Sequence, residues 1–511
     1  LSVANAPHEI VNARYFASLG GCHFLGRHAT VTASSIAQAL TRLLGDPAQR
    51  AALSQRGKSL IDGRGIERVT QLIQEVAASP SSRPDVGPSP HPPAQRGEGA
   101  SVILCNQLTR LRAVVSARPS EKIRFLVVSE IPETDQLRRY LRHELGAEAL
   151  PYVELARSRR ESFRAKYIEF LATFNRAHRS QFWLAMPFTT KSVLSTDLCR
   201  NTFNFLLIVE LLRTHEGLLV VLTDNRPLAD QVVRWARAQR LKAVNAVAGR
   251  QPLKAFLKRS THLAIVAAIV RTAWAWVLAR RLQAEQTDRR EATVVVTTFP
   301  NSSIDPPHYR EAYFGPLPDY LNRRGKRVVL FALCYEGVVQ KILALRRVRS
   351  QIPVVPVESC LTLWDLVACA TRSLVQWVKR FPFRELVEID GVDFSGLMEQ
   401  AIADSCQSSS LFWHLCVYAG SKRLGQRLHV TRCFYPFENR AWEKMLLTGI
   451  REVSPHTTTI GYQHTAFTHA HTNLIFGQGE AGATPLPDVI LTAGHVVKQW
   501  LDRTGQYPDG L

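Results

Sequence analysis

Acidic side chains are scarce in this 511-residue chain: 43 Asp and Glu stand against 64 Lys and Arg, a formal net charge of +21. An excess of that size suits anionic partners such as nucleotide-sugars, lipid phosphates or an acidic membrane face. Nucleic acid is disfavoured, because the basic residues are spread through helical stretches with no zinc-finger spacing or aromatic-basic signature. Paired cysteines are missing too. The nine cysteines are scattered, odd in number and without a Cys-x-x-Cys, so they read as reduced core residues of a cytoplasmic protein. No Walker loop, Gly-x-Ser-x-Gly elbow or His-Glu-x-x-His occurs, which removes three common signatures of enzymatic chemistry. His464, His469 and His471 lack Cys or carboxylate partners at ligand spacing, so no metal site is expected. The chain begins with Leu1 and no charged-then-apolar leader follows. No signal peptide is therefore expected, and both ends read as cuts through a longer polypeptide.

What is present is ordinary for a globular α/β protein: 46% apolar and 21% charged residues over a length that calls for two to four domains. Residues 1–79 alternate a short glycine-bracketed strand (20–26) with helices at 32–44, 48–60 and 66–77. Residues 80–100, rich in Pro, Ser and Arg, cannot bury enough surface to offset their ordering entropy and read as a disordered linker. From 101 onward, near-continuous apolar strands at 123–128, 218–222, 293–299 and 327–333 alternate with helices. That pattern argues for parallel sheets covered on both faces.

The most informative stretch is 430–464. Its opening run, Val-Thr-Arg-Cys-Phe-Tyr, reads as a buried strand that Pro436 stops abruptly. Glu438 and Asn439 then sit at the carboxyl end of that strand, where open α/β sheets place their ligand crevice. Arg440 opens a helical stretch, and 461–464 closes a second strand. Two such ends side by side would present Glu438, Asn439, Gln463 and His464 to one cleft. A further strand at 488–492 turns at Gly494 into a helix. Earlier, a polar loop after 293–299 carries Ser302, Ser303, Asp305, His308 and Glu311. A carboxylate or imidazole there could deprotonate an acceptor hydroxyl. Asp305 could equally form an Asx turn before Pro306 and Pro307.

Two stretches carry tryptophans beside basic residues. Residues 262–282 are apolar but interrupted by Arg271, with Trp274 and Trp276 before Arg280 and Arg281; residues 361–381 carry Trp364, Trp377 and Lys379. A span needs about 20 apolar residues, so crossing a membrane is disfavoured. Two readings stay open, a helix lying on the inner leaflet or one buried between subdomains.

Two resemblances follow from these motifs. Val-Ala-Asn-Ala-Pro-His, Leu-Gly-Gly-Cys-His-Phe-Leu-Gly and Ile-Asp-Gly-Arg-Gly-Ile-Glu-Arg-Val resemble the tail of the UDP-sugar hydrolase family of the pseudaminic acid pathway, although Ala6 stands where that family has Gln. Tyr-Phe-Gly-Pro-Leu-Pro-Asp-Tyr-Leu, Tyr-Pro-Phe-Glu-Asn-Arg-Ala-Trp-Glu-Lys-Met and Ile-Gly-Tyr-Gln-His-Thr-Ala resemble a family of bacterial surface carbohydrate biosynthesis proteins, over about four-fifths of the chain. The second resemblance implies a GT-B-like α/β fold: two Rossmann-type domains with parallel sheets, beside a partial N-terminal α/β half-domain. It divides the chain into an acceptor-side region at 101–427, with a helical segment at 253–290, and the start of a truncated donor-side domain at 428–511.

The implied function is metal-independent glycosyl transfer from a nucleotide-sugar donor to a glycan or lipid-linked glycan, in O-antigen or capsule assembly. The enzyme would be cytoplasmic, with inner-membrane contact left open, and would need no cofactor beyond the donor substrate. The lack of any Asp-x-Asp at a strand end agrees. In such a cleft, helix amino ends, backbone amides and cations stabilise the leaving diphosphate. Gly461, His464, Thr465 and Gly494, with charge from Arg440, are the candidates, and Asn439 and Gln463 complete the donor set. Glu438 is a base, a hydroxyl acceptor, or only an ion-pair partner of Arg440 or Lys444; Trp442 reads as core. Asp305, His308 and Glu311 are the acceptor-side candidates. Two other functions stay open: a nucleotide-sugar hydrolase, and a carbohydrate-binding protein without turnover.

Overall fold

Short strands rich in apolar and β-branched residues form two parallel sheets. In the computed structural model the described residues are all except 1, 5–12, 14–16, 21, 28–29, 61–99, 117–121, 130, 132, 194, 215, 248–260, 283–290, 299–303, 306–307, 310, 335–336, 380–382, 384, 386, 465–470 and 509. The expected linker and the helix at 66–77 thus lie outside the described residues. Before them, Ser2–Ala4 pairs in parallel with Phe24–Arg27, followed by helices Ala33–Gly45 and Pro47–Leu60. Thr32 caps the first of these helices, its side chain accepting from the Ser35 N–H at 3.2 Å. Ile36, Leu40 and Leu44, one helical turn apart, are left exposed.

The first large sheet contains β1 (Ala100–Cys105), β2 (Ile123–Val127), β3 (Glu148–Ala149), β4 (Gly217–Leu222) and β5 (Lys242–Ala246), in the order β3-β2-β4-β1-β5. Every residue of β1 is buried, as expected for a parallel strand covered on both faces. Alternation sends Val102 and Leu104 into one core and Ile103 and Cys105 into another. Helices α1 (Tyr152–Ala177), α2 (Leu198–Thr214) and α3 (Arg226–Ala238) bury their apolar faces against the first of these cores.

The second sheet contains β6 (Glu291–Thr298), β7 (Val328–Leu333), β8 (Val354–Pro356), β9 (His429–Pro436), β10 (Thr458–Gln463) and β11 (Val489–Thr492), all parallel, in the order β8-β7-β6-β9-β10-β11. Counted from its own first strand, that is 3-2-1-4-5-6, the doubly wound Rossmann-like order. The longer helices around it are, in chain order, α4 (Thr261–Ala279), which precedes β6, α5 (Val338–Leu345), α6 (Leu363–Lys379), α7 (Ser409–Arg427), α8 (Ala441–Val453) and α9 (His495–Thr504). Helices α7 and α8 approach closely because Gly449 has no side chain; a Cβ there would collide with the Tyr418 carbonyl oxygen.

The expected division at 427/428 therefore cuts through a sheet. Strands β6 to β8 belong with β9 to β11, since β6 pairs directly with β9. The chain also returns to the first core: Val387, Phe394, Leu397 and Met398 pack there with Phe205 and Val232. A buried ionic knot further ties the two halves. The Lys191 ammonium meets the Glu480 carboxylate with both side chains sealed from solvent. Asn175 Nδ2 donates to the other Glu480 oxygen at 2.6 Å, and Gly477 N–H donates to Glu480 at 2.9 Å.

Candidate functional site

The order reversal in the second sheet falls between β6 and β9, and a parallel sheet leaves a crevice beyond the carboxyl ends of its strands at such a point. A cavity of about 540 Å³ lies there. Its lining includes Thr298 at the end of β6, Leu333 at the end of β7, Pro436 at the end of β9 and His464 just past β10.

The turn after β9 is built by local chemistry. Phe437 N–H still bonds the Tyr462 carbonyl at 2.8 Å, keeping β9 and β10 together to their ends. Asn439 then adopts a left-handed backbone, φ 53°, which Asn tolerates better than most residues. Its carboxamide donates to the Asn473 carbonyl at 2.7 Å, and Asn473 Nδ2 returns a bond to the Glu438 carbonyl at 2.5 Å. Arg440 caps α8, and Glu443 reaches back to accept the Glu438 N–H at 3.0 and 3.2 Å. Burial, with Glu438 close by, holds the Glu443 carboxyl well above the ordinary carboxylate range.

This scaffold presents Glu438 to the cavity. Arg440 Nε donates to Glu438 Oε2 at 2.8 Å, while His464 Nε2 stands 3.8 Å from Oε1. Burial lowers the His464 pKa and the Glu438 charge partly offsets it. Tyr313 meets the His464 ring edge-on, with centroids 4.4 Å apart. Arg440 Nη1 also reaches Ser195 Oγ at 3.3 Å, so the 187–195 strap from the first half of the chain forms a wall of the same cavity. Ala441 and Trp442 bring the amino end of α8 to the cavity, and the first N–H groups of a helix have no partner within it.

His414, on the second turn of α7, also lines the cavity. Its Nδ1 lies 2.7 Å from the Ala185 carbonyl, which can only accept; Nδ1 therefore carries the hydrogen and Nε2 is left as an acceptor. Burial pushes its pKa down to about 4, so the ring is neutral at physiological pH. Lys341 of α5 and Trp413 complete the polar and aromatic lining.

The expected residues thus divide. Glu438, Arg440 and His464 come together. Asn439 is buried and holds the turn instead of facing the cavity. Gln463 is wholly buried, and Gly461 is a packing position whose Cβ would sit 2.9 Å from the Phe437 Cβ; neither lines the cavity. Gly494 caps α9 away from the cavity, and Thr465 lies outside the described residues. Asp305 and His308 are register partners in a short antiparallel pairing, and their side chains lie outside the described residues. Glu311 is buried behind the site: it accepts from the Tyr309 hydroxyl and from the Tyr313 N–H at 3.0 Å, fixing the tyrosine that meets His464. Trp442, expected in the core, is half-buried and also lines the cavity. Sequence reasoning missed Ser195, Tyr313, Lys341 and His414, which come from four separate segments with no common local motif. Among the described residues no group of three or more His, Cys, Asp or Glu is arranged to hold a metal ion.

No family model and no curated protein matches this chain. A crystal structure of a GsuK mutant aligns over 96% of this chain and 93% of that chain at 11% identity, with a TM-score of 0.15. A score that low carries no argument about fold or function.

Proposed function

We propose that the cavity binds a nucleotide-sugar and that the protein is a metal-independent glycosyltransferase of GT-B type, of the kind found in surface carbohydrate biosynthesis. One observation carries this reading. At the order reversal of a doubly wound sheet, an arginine at 2.8 Å and a histidine at 3.8 Å converge on one carboxylate, beside a helix amino end. Arg440, Lys341 and the first N–H groups of α8 suit a diphosphate, whose charge grows as the glycosidic bond breaks. Glu438 suits a hydroxyl of the bound ligand, as its hydrogen-bond acceptor or as its base, and general-base help is worth about 10²–10⁴-fold. His414, held neutral with Nε2 as an acceptor, suits a hydrogen bond from the hydroxyl of the incoming acceptor.

The test is a thermal-shift screen of the protein against UDP-, CMP-, GDP- and TDP-sugars. Stabilisation by one class, lost in Arg440→Ala, supports the reading; no response to any of them overturns it. Release of nucleotide from the responding donor without any acceptor would point to hydrolysis.

A further inference from the structure

More than half of the large apolar side chains exposed among the described residues sit on two neighbouring helices, α4 and α6. On α4 they are Val266, Val270, Trp274 and Val277, spaced four, four and three apart, which makes one stripe. On α6, Trp364, Val367, Val375 and Val378 form a second stripe, with Trp364 79% and Val378 69% exposed. Trp274 and Trp364 are the two tryptophans that are exposed among the described residues. The helices touch: Trp276 Nε1 donates to the Leu361 carbonyl at 2.9 Å, and Ala268 and Ile269 pack on the cluster that holds Leu366 and Cys369.

Charge around this face has one sign. Helices α4 and α5 carry no acidic residue, and Asp365 of α6 is engaged by Arg423 at 2.9 Å. Arg271, Arg280, Arg372 and Lys379 are exposed on the two helices. Arg346 and Arg347, also exposed, follow α5, and Leu345 and Val348 on either side of them pack with Leu278 and Leu282 of the α4 region.

We propose that this face docks the protein on an anionic lipid surface, with α4 and α6 lying in the headgroup layer. Exposed tryptophan and valine enter the boundary region and the flanking cations meet lipid phosphates. Among the described residues no helix is long and apolar enough to cross a membrane, so the contact is peripheral. A second copy of this chain is a poor occupant, because neither helix offers an unengaged carboxylate to meet the other copy's arginines. The proposal stands apart from the transfer chemistry, but the two features are physically joined. Helix α7 packs beneath this face through Leu415, Cys416 and Ala419, and carries Trp413 and His414 to the cavity.

The test is flotation of the full chain with vesicles of phosphatidylcholine alone or mixed with phosphatidylglycerol. Binding to the mixed vesicles is expected, weakened by salt. Both tryptophans are exposed, so Trp274→Glu with Trp364→Glu leaves the fold intact, checked by circular dichroism, and lowers partitioning at least about tenfold. Arg346→Glu lowers it by about fivefold or more. No binding to mixed vesicles, equal binding to neutral ones, or unchanged binding by the double variant overturns the proposal. A parent that sediments as a dimer and dissociates with Trp364→Glu also overturns it, since the face would then be a self-interface.

Discussion

Both sheets end their strands in polar side chains, yet they use them in opposite ways. In the first sheet, Ser129 after β2 donates to Asp224 at 2.9 Å and accepts from the Asp224 N–H at 3.2 Å. Asn225 caps α3 by accepting from the Leu228 N–H at 3.1 Å and donates to Asn201 at 2.7 Å. These groups bond to one another and to the chain that holds them. In the second sheet, Glu438, Arg440 and His464 face a cavity of about 540 Å³. The difference arises from what stands opposite. Beyond β9, the 187–195 strap and α7 form walls across from the strand ends, held by the Lys191–Glu480 knot and by His414 on the Ala185 carbonyl. A polar strand end becomes a site when distant chain encloses it.

The sharpest way to break that contrast is a matched pair of substitutions. Glu438→Gln removes the charge at the second sheet's end and should lower turnover of the responding nucleotide-sugar by about 10²–10⁴-fold, with melting temperature nearly unchanged. Asp224→Asn, the counterpart at the first sheet, should leave turnover within about twofold, an effect of under 0.5 kcal/mol. Equal losses in the two variants would show that strand-end chemistry does not distinguish the sheets.

Next in size is the knot that holds the wall. Lys191→Met leaves Glu480 buried without its ion-pair partner, which costs about 3–5 kcal/mol; adding Glu480→Gln, which removes the charge and keeps an acceptor for Asn175 and Gly477, should recover much of it. The exposed pair Arg159–Glu210 gives the reference, with about 0–1 kcal/mol expected for Arg159→Met. Urea denaturation of all the variants reads the comparison directly. A loss near 1 kcal/mol for Lys191→Met would mean the wall is held by packing alone.

A smaller effect concerns pH. His414 titrates near its ordinary value of 6.5 when unfolded and at about 4 when folded, so the unfolded chain binds the extra proton first. Stability is therefore intact above about pH 6.5 and falls as pH drops toward 4, by about 3 kcal/mol. Glu358 acts in the other direction: burial raises its carboxyl from 4.5 to about 7, so its contribution is lost as pH rises through that window. The difference between the parent and His414→Gln isolates the histidine, and should shrink from neutral pH to pH 4. A constant difference would place the ring in a solvated setting.

Much of this arrangement was legible in the sequence. The β-branched and aromatic run ending at Pro436 marks β9, and the strand at 458–463 lies beside it, as the short helical spacer between them implies. Strand parity limited the rest. Residues one apart on a strand point to opposite faces, so Tyr462 and His464 share a side while Gly461 and Gln463 share the other. Expecting Gln463 and His464 in one cleft ignored that alternation. Placing β6 between β7 and β9 needs the whole sheet, which is why the boundary expected at 427/428 failed. Tyr313 opens the motif at 313–321 but nothing local marks it as a cavity residue, and Ser195, Lys341 and His414 left no local trace, because each reaches the cavity through distant packing.

The smallest expected effect returns to the first sheet. Asn225→Ala removes a cap whose side chain accepts the Leu228 N–H, and such caps are worth about 1 kcal/mol. The loss should appear in urea denaturation and leave the donor-induced thermal shift unchanged, because every partner of Asn225 lies within the first sheet's own elements. If that substitution instead abolished the thermal shift, the polar end of the first sheet would belong to the binding site. The cleft would then have to close between the two sheets, with Asn225 and Glu438 gripping one ligand from opposite sides.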